Sequence, residues 1–80
     1  RAEPALHHGR RCLELVDQHG LGAFDRAYAH EALARGYQVA GDADRQAEHL
    51  ALAYAAAEGI TDDEERGFLL PDLAQLELPR

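Results

Sequence analysis

The sequence predicts an all-α fold of about four helices arranged as antiparallel helix-turn-helix repeats, and three observations carry that expectation. Apolar residues recur at helical spacing in four segments, separated by short turns near Gly20, Gly41 and Gly59. Core bulk must come from alanine and leucine, because the chain has only two Phe, three Tyr and no Trp or Met. Small side chains of high helix propensity suit closely stacked helices better than a sheet. Finally, two stretches echo each other forty residues apart. Asp25-Arg26-Ala27-Tyr28 leads to Leu33-Ala34, and Glu65-Arg66-Gly67-Phe68 leads to Leu73-Ala74. Recurrence at such a period marks a repeat array whose units bury their apolar faces by stacking.

The first helix is expected to begin at Pro4, a favourable first-turn residue, and to stop near Gly20. Its inner stripe reads Ala5, Gly9, Cys12, Leu13 and Val16, and the small residues in it predict a close crossing with a neighbour. A second helix is expected from about Phe24 to Ala40, with Gly41 as a left-handed stop. Ala27, His30, Leu33, Ala34 and Tyr37 form its inner stripe, whereas Tyr28, Glu31, Arg35 and Gln38 share a more polar face. Gly36 inside this helix costs about 1 kcal/mol relative to alanine, which points to a close contact there.

The third helix opens on Asp42 as N-cap, with Asp44 in its first turn, and ends near Glu58. Ala47, Leu50, Ala51, Tyr54 and Ala57 are its predicted stripe. Thr61-Asp62-Asp63-Glu64 spells a capping box with Thr61 as the cap. The fourth helix then offers Phe68, Leu69, Leu73 and Leu76 as apolar contacts, with a kink or loosened turn expected at Pro71 and a frayed tail from Glu77 to Arg80.

Eighty residues supply one core, so a single domain over 1–80 is expected, either free-standing or a fragment of a longer repeat array. The net charge is −7, with eight arginines and no lysine, which lacks the footprint of a nucleic-acid binder. No apolar run approaches the length of a membrane span or a signal segment. The lone Cys12 excludes an internal disulfide. A soluble, cytoplasmic protein is expected, with neither nucleic acid nor membrane as partner.

From Leu33 to Ala53 the chain resembles a tetratricopeptide repeat. Leu33-Ala34 stands at the family's Leu-Gly position, Tyr37 at its tyrosine, Gly41-Asp42 at the interhelical turn, Leu50 at the second-helix aromatic and Ala53 at the late alanine. The early second-helix alanine position departs, falling on Gln46, with Ala47 one place late. Ala5, Gly9 and Cys12 match the second half of a preceding repeat, and the period of about forty resembles the longer-helix variants. The chain is also similar to small tetratricopeptide-like proteins of GC-rich bacteria that carry Pro4-Ala5-Leu6-His7-His8 and Ala40-Gly41-Asp42-Ala43.

The resemblance implies a non-enzymatic scaffold that binds a protein or peptide in a concave groove. Carried over by position, that groove would present Tyr28, Glu31, Arg35 and Gln38, joined by Phe68 and Gln75 from the next repeat. Arg35 would hold a partner carboxylate, while Tyr28 and Phe68 supply rigid apolar contact. The plainer reading of the same set is a solvated face with two aromatics packed between helices.

Catalytic groups are scarce. Serine is absent, the only threonine reads as a cap, and no glycine-rich phosphate loop is present, so no enzyme is expected. His8 and Cys12 stand i, i+4, but His7 points about 100° away, so a packed Cys12 with solvated histidines is favoured over a metal. His30 and His49 are expected to be partly buried and bonded to a tyrosine or carboxylate, with a pH-sensitive pair as the alternative. The acids from Asp62 to Glu65 suit a first helical turn.

Two other functions compete with the scaffold: an oligomerisation module or fragment of a larger bacterial regulator, and a small metal- or ligand-binding bundle using His7, His8, Cys12 and His49. Self-association is expected in any case. The stripes of the first helix and of Leu69, Leu73 and Leu76 lack a neighbouring helix in sequence, which predicts a homodimer through the terminal helices.

Overall fold

Four helices follow one another in the computed structural model, which describes residues 2–77: α1 (Ala2–His19), α2 (Ala23–Ala40), α3 (Ala43–Ala57) and α4 (Asp63–Leu76). The fold is all-α, and no strand occurs among the described residues. Helix α2 is the hub. It packs against α1, α3 and α4; α3 also packs on α4, whereas α1 reaches neither of those two.

Three of the boundaries have a local cause. Gly41 takes a left-handed conformation at φ 78° and its N–H closes on Gln38, which ends α2 as the sequence predicts. Asp42 caps α3 by accepting a hydrogen bond from the backbone N–H of Arg45. The start of α4 differs from expectation by one residue. Asp62, not Thr61, is the N-cap, and it accepts from the N–H of Glu65 at 3.0 Å. Asp62 and Glu65 repeat the acid-capped pattern one step along, and the carboxylate is the stronger acceptor for an exposed N–H. Helix α4 continues through Pro71 to Leu76. Glu77 is not frayed, since its carboxylate accepts from the Tyr54 hydroxyl at 2.8 Å; residues 78–80 lie outside the described part.

The core has two parts. Ala27, Ala53, Ala57, Ile60, Leu69 and Leu73 form a buried cluster between α2, α3 and α4, with Phe24, Tyr28, Leu50 and Tyr54 packed on its margin. Between α1 and α2, the buried residues are Leu6, Gly9 and Val16 facing Leu33 and Gly36. Leu6 was absent from the predicted stripe, and Ala5, Cys12 and Leu13 are only half-buried. The predicted face of α3 is also turned. Ala47 and Ala51 are exposed, while Ala53 is buried and Gln46, His49 and Leu50 are half-buried. Gln46 donates to the carbonyl of Leu76 at 3.0 Å, so it satisfies one of the open carbonyls at the end of α4.

Leu69, Leu73 and Leu76 are 0%, 0% and 3% exposed within the single chain. Helices α2 and α3 already cover them, which removes the reason for pairing through α4. Phe68, by contrast, points outward at 67% exposure, so it is not a core contact.

Candidate functional site

Because α1 and α4 pack on α2 without meeting, one face of α2 lies between them, and its α1 side holds a trough. Tyr28, Glu31, Arg35 and Gln38 recur at i, i+3, i+7 and i+10, within an arc of about 80° on that face. Phe68, Asp72 and Gln75 share one face of α4 by the same periodicity. The two faces are joined where the Tyr28 hydroxyl donates to Asp72 Oδ2 at 3.0 Å.

The trough, between α1 and α2, has a volume of about 330 Å³. Leu15 and Val16 from α1, Leu21 from the turn, and Tyr28, Ala29 and Ala32 from α2 supply its apolar lining. His8 and Cys12 bring polar atoms from α1, and Asp25 and Glu31 bring carboxylates from α2. No arginine belongs to the lining.

Tyr28 is fixed from two sides. Its ring meets Phe24 edge-on, with centroids 5.0 Å apart, and its hydroxyl is held by Asp72. Burial, and then the bond to the Asp72 carboxylate, push its ionisation up to about 12. Glu31 is buried at 8% exposure and takes both Nε and a terminal nitrogen of Arg35, at 3.0 and 2.5 Å. That guanidinium therefore neutralises a buried carboxylate of its own helix, and a partner carboxylate would have to compete for it. Gln38 is half-buried further along α2, and Gln75 is exposed on α4.

Of the six residues the sequence assigns to a partner groove, Tyr28 and Glu31 line this cavity, Arg35 is bound to Glu31 beside it, and Gln38, Phe68 and Gln75 are not among its liners. Sequence reasoning missed Leu15, Leu21 and Asp72. Asp72 was open to discovery, since it falls between Phe68 and Gln75 on their shared face; Leu15 and Leu21 become liners only once α1 is docked.

His8 Nε2 and Cys12 Sγ approach to 3.5 Å. His7 is exposed, and His49 belongs to the α2–α3 interface rather than to α1. Among the described residues no three His, Cys, Asp or Glu side chains converge as metal ligands. His30 and His49 are bonded to each other rather than to a tyrosine or carboxylate. No described helix is long and apolar enough to cross a membrane.

Compared with known proteins, the chain matches no family model, no curated protein and no solved structure. The fold and the trough define it as an all-α helical protein with an open, partly apolar groove.

Proposed function

We propose that the protein is a non-enzymatic binding module that takes a basic, amphipathic segment of a partner protein in the trough between α1 and α2. One observation carries the reading: an apolar lining that includes Leu15, Ala29 and Ala32 is bordered by the exposed carboxylate of Asp25, the Glu31 carboxylate beside it being already paired with Arg35. An apolar side chain of the partner fills the floor, and a neighbouring lysine or arginine meets Asp25, in a chain whose net charge of −7 favours approach of a cation.

The helix order supports the tetratricopeptide-like reading. In it, α1 acts as the second helix of one unit, α2 and α3 form the next, and α4 opens a third. A homodimer through α1 and α4 has less support, because their inner leucines are covered within one chain.

Selection of peptides from a random displayed library tests the proposal. Enriched sequences should pair bulky apolar with basic residues, and Ala32→Arg, which fills and charges the floor, should weaken them at least about tenfold. Binding that Ala32→Arg leaves untouched, or enrichment of acidic peptides, would refute it.

A further inference from the structure

The interface between α2 and α3 holds an imidazole pair that the groove does not use. The Nδ1 atoms of His30 and His49 lie 3.1 Å apart, and the rings stack with centroids 5.3 Å apart at 26°. Tyr37 stacks on His49 at 5.5 Å and 16°, and the Arg45 guanidinium lies 6.0 Å from the Tyr37 ring centre. His30 is 8% exposed and His49 half-buried.

This contact needs complementary tautomers. One ring must donate from Nδ1 while the other presents a bare Nδ1 to accept. A first added proton leaves that bond intact, because imidazolium still donates to imidazole. A second puts a hydrogen on both nitrogens, and the hydrogen bond becomes a contact between two cations. We propose that His30 and His49 form an acid-released latch, which ties α3 to α2 while at least one ring is neutral and pushes them apart when both are protonated.

The charged groups acting on the pair come from three helices. Asp17 on α1 and Glu48 on α3 favour protonation, and Arg26 on α2 opposes it. Arg26 also holds Asp17 at 2.6 Å, which offsets the pull of that carboxylate on His30. Burial and the facing ring push His30 below the usual histidine range, and burial does the same for His49. Protons then bind the unfolded chain more readily than the folded one. Stability is complete above the ordinary histidine value of about 6.5 and is lost as pH falls from there toward the lowered folded values.

Two measurements decide the proposal. Long-range nitrogen–proton spectra at pH near 7.5 should show one of the two rings protonated at Nδ1 and the other at Nε2; hydrogen on Nε2 in both would overturn it. Denaturant unfolding between pH about 7.5 and 5.5 should show the folded-to-unfolded ratio falling by up to about tenfold per pH unit for each histidine. His30→Asn and His49→Asn, which keep a polar group near the Nδ1 position but cannot take the proton, should flatten that slope. His7, His8 and His19 are exposed and remain in every variant, so the change in slope belongs to the pair. Equal slopes in wild type and variants would sink the latch, and the ring spectra of the wild-type protein decide the matter if the variants do not fold.

Discussion

Leu6 of α1 lies directly on Gly36 of α2, so close that a Cβ at residue 36 would stand 2.7 Å from Leu6 Cδ2 and 3.2 Å from the Leu6 backbone nitrogen. The reverse exchange occurs alongside, where a Cβ at Gly9 would stand 2.7 Å from Leu33 Cγ and 3.1 Å from the Leu33 nitrogen. Each helix gives a leucine and receives one over a glycine, and this pairing fixes how near α1 and α2 approach. Space, not backbone freedom, explains both glycines, since neither has a positive φ.

Gly36→Ala should therefore destabilise the protein by about 1–2 kcal/mol, even though alanine gains about 1 kcal/mol in helix propensity. The neighbouring atoms include backbone, so the helices must separate to admit the methyl group. Gly67 is the contrast. It is exposed within α4 with nothing within 4 Å of its would-be Cβ, so Gly67→Ala should stabilise by about 0.5–1 kcal/mol. Urea unfolding of the two variants should give shifts of opposite sign.

Leu69 and Leu73 anchor the cluster between α2, α3 and α4 at 0% exposure. Replacing either with alanine should cost about 2–5 kcal/mol, enough to unfold a chain of this size. Leu50 lies on the cluster's margin and is only half-buried, so Leu50→Ala should cost less, about 1–2 kcal/mol. Phe68→Ala should leave stability almost unchanged, because its ring is exposed. Thermal melts that rank Leu50 above Leu69 would show that the core has been misplaced.

Most helix boundaries were legible because glycine and aspartate end and start helices through their own backbone chemistry, as Gly41 and Asp42 do here. The faces were harder to read. Helix α3 carries alanine almost all round, so an apolar stripe that reaches Ala57 through Ala47 and Ala51 looks as good as one that reaches it through Ala53. The choice was made by Gln46 and His49, which turn inward because Leu76 and His30 offer them polar partners. Those partners lie 30 and 19 positions away, beyond what local periodicity can register. The cavity liners divide the same way: Tyr28 and Glu31 are local to α2, whereas Leu15 joins them only through docking of α1.

The start of α4 gives a sharp test of cap assignment. Asp62 accepts from the N–H of Glu65, whereas Thr61 is exposed just outside the helix. Asp62→Ala should cost about 1 kcal/mol and Thr61→Ala almost nothing. If the threonine variant proved the weaker of the two in chemical denaturation, the cap would lie one residue earlier.

Tyr28 links the trough to alkaline stability. Burial, then the hydrogen bond it donates to Asp72, raise its ionisation to about 12 in the folded chain, whereas a tyrosine in the unfolded chain ionises near 10. The folded state therefore holds the phenolic proton more tightly than the unfolded state. The contribution is complete below pH about 10 and is lost as pH climbs from there toward 12. Tyr54 is also pushed up, by burial and by its bond to Glu77, so ultraviolet titration of the phenolate band should show two late components, and Tyr28→Phe should remove that of Tyr28. In Asp72→Asn the same tyrosine should ionise earlier, though still above the unfolded value, because burial is the larger cause. Tyr28→Phe should also cost about 0.5–1.5 kcal/mol at neutral pH by removing the bond between α2 and α4. An unchanged titration in Asp72→Asn would mean that the carboxylate neither holds the hydroxyl nor ties α4 to α2.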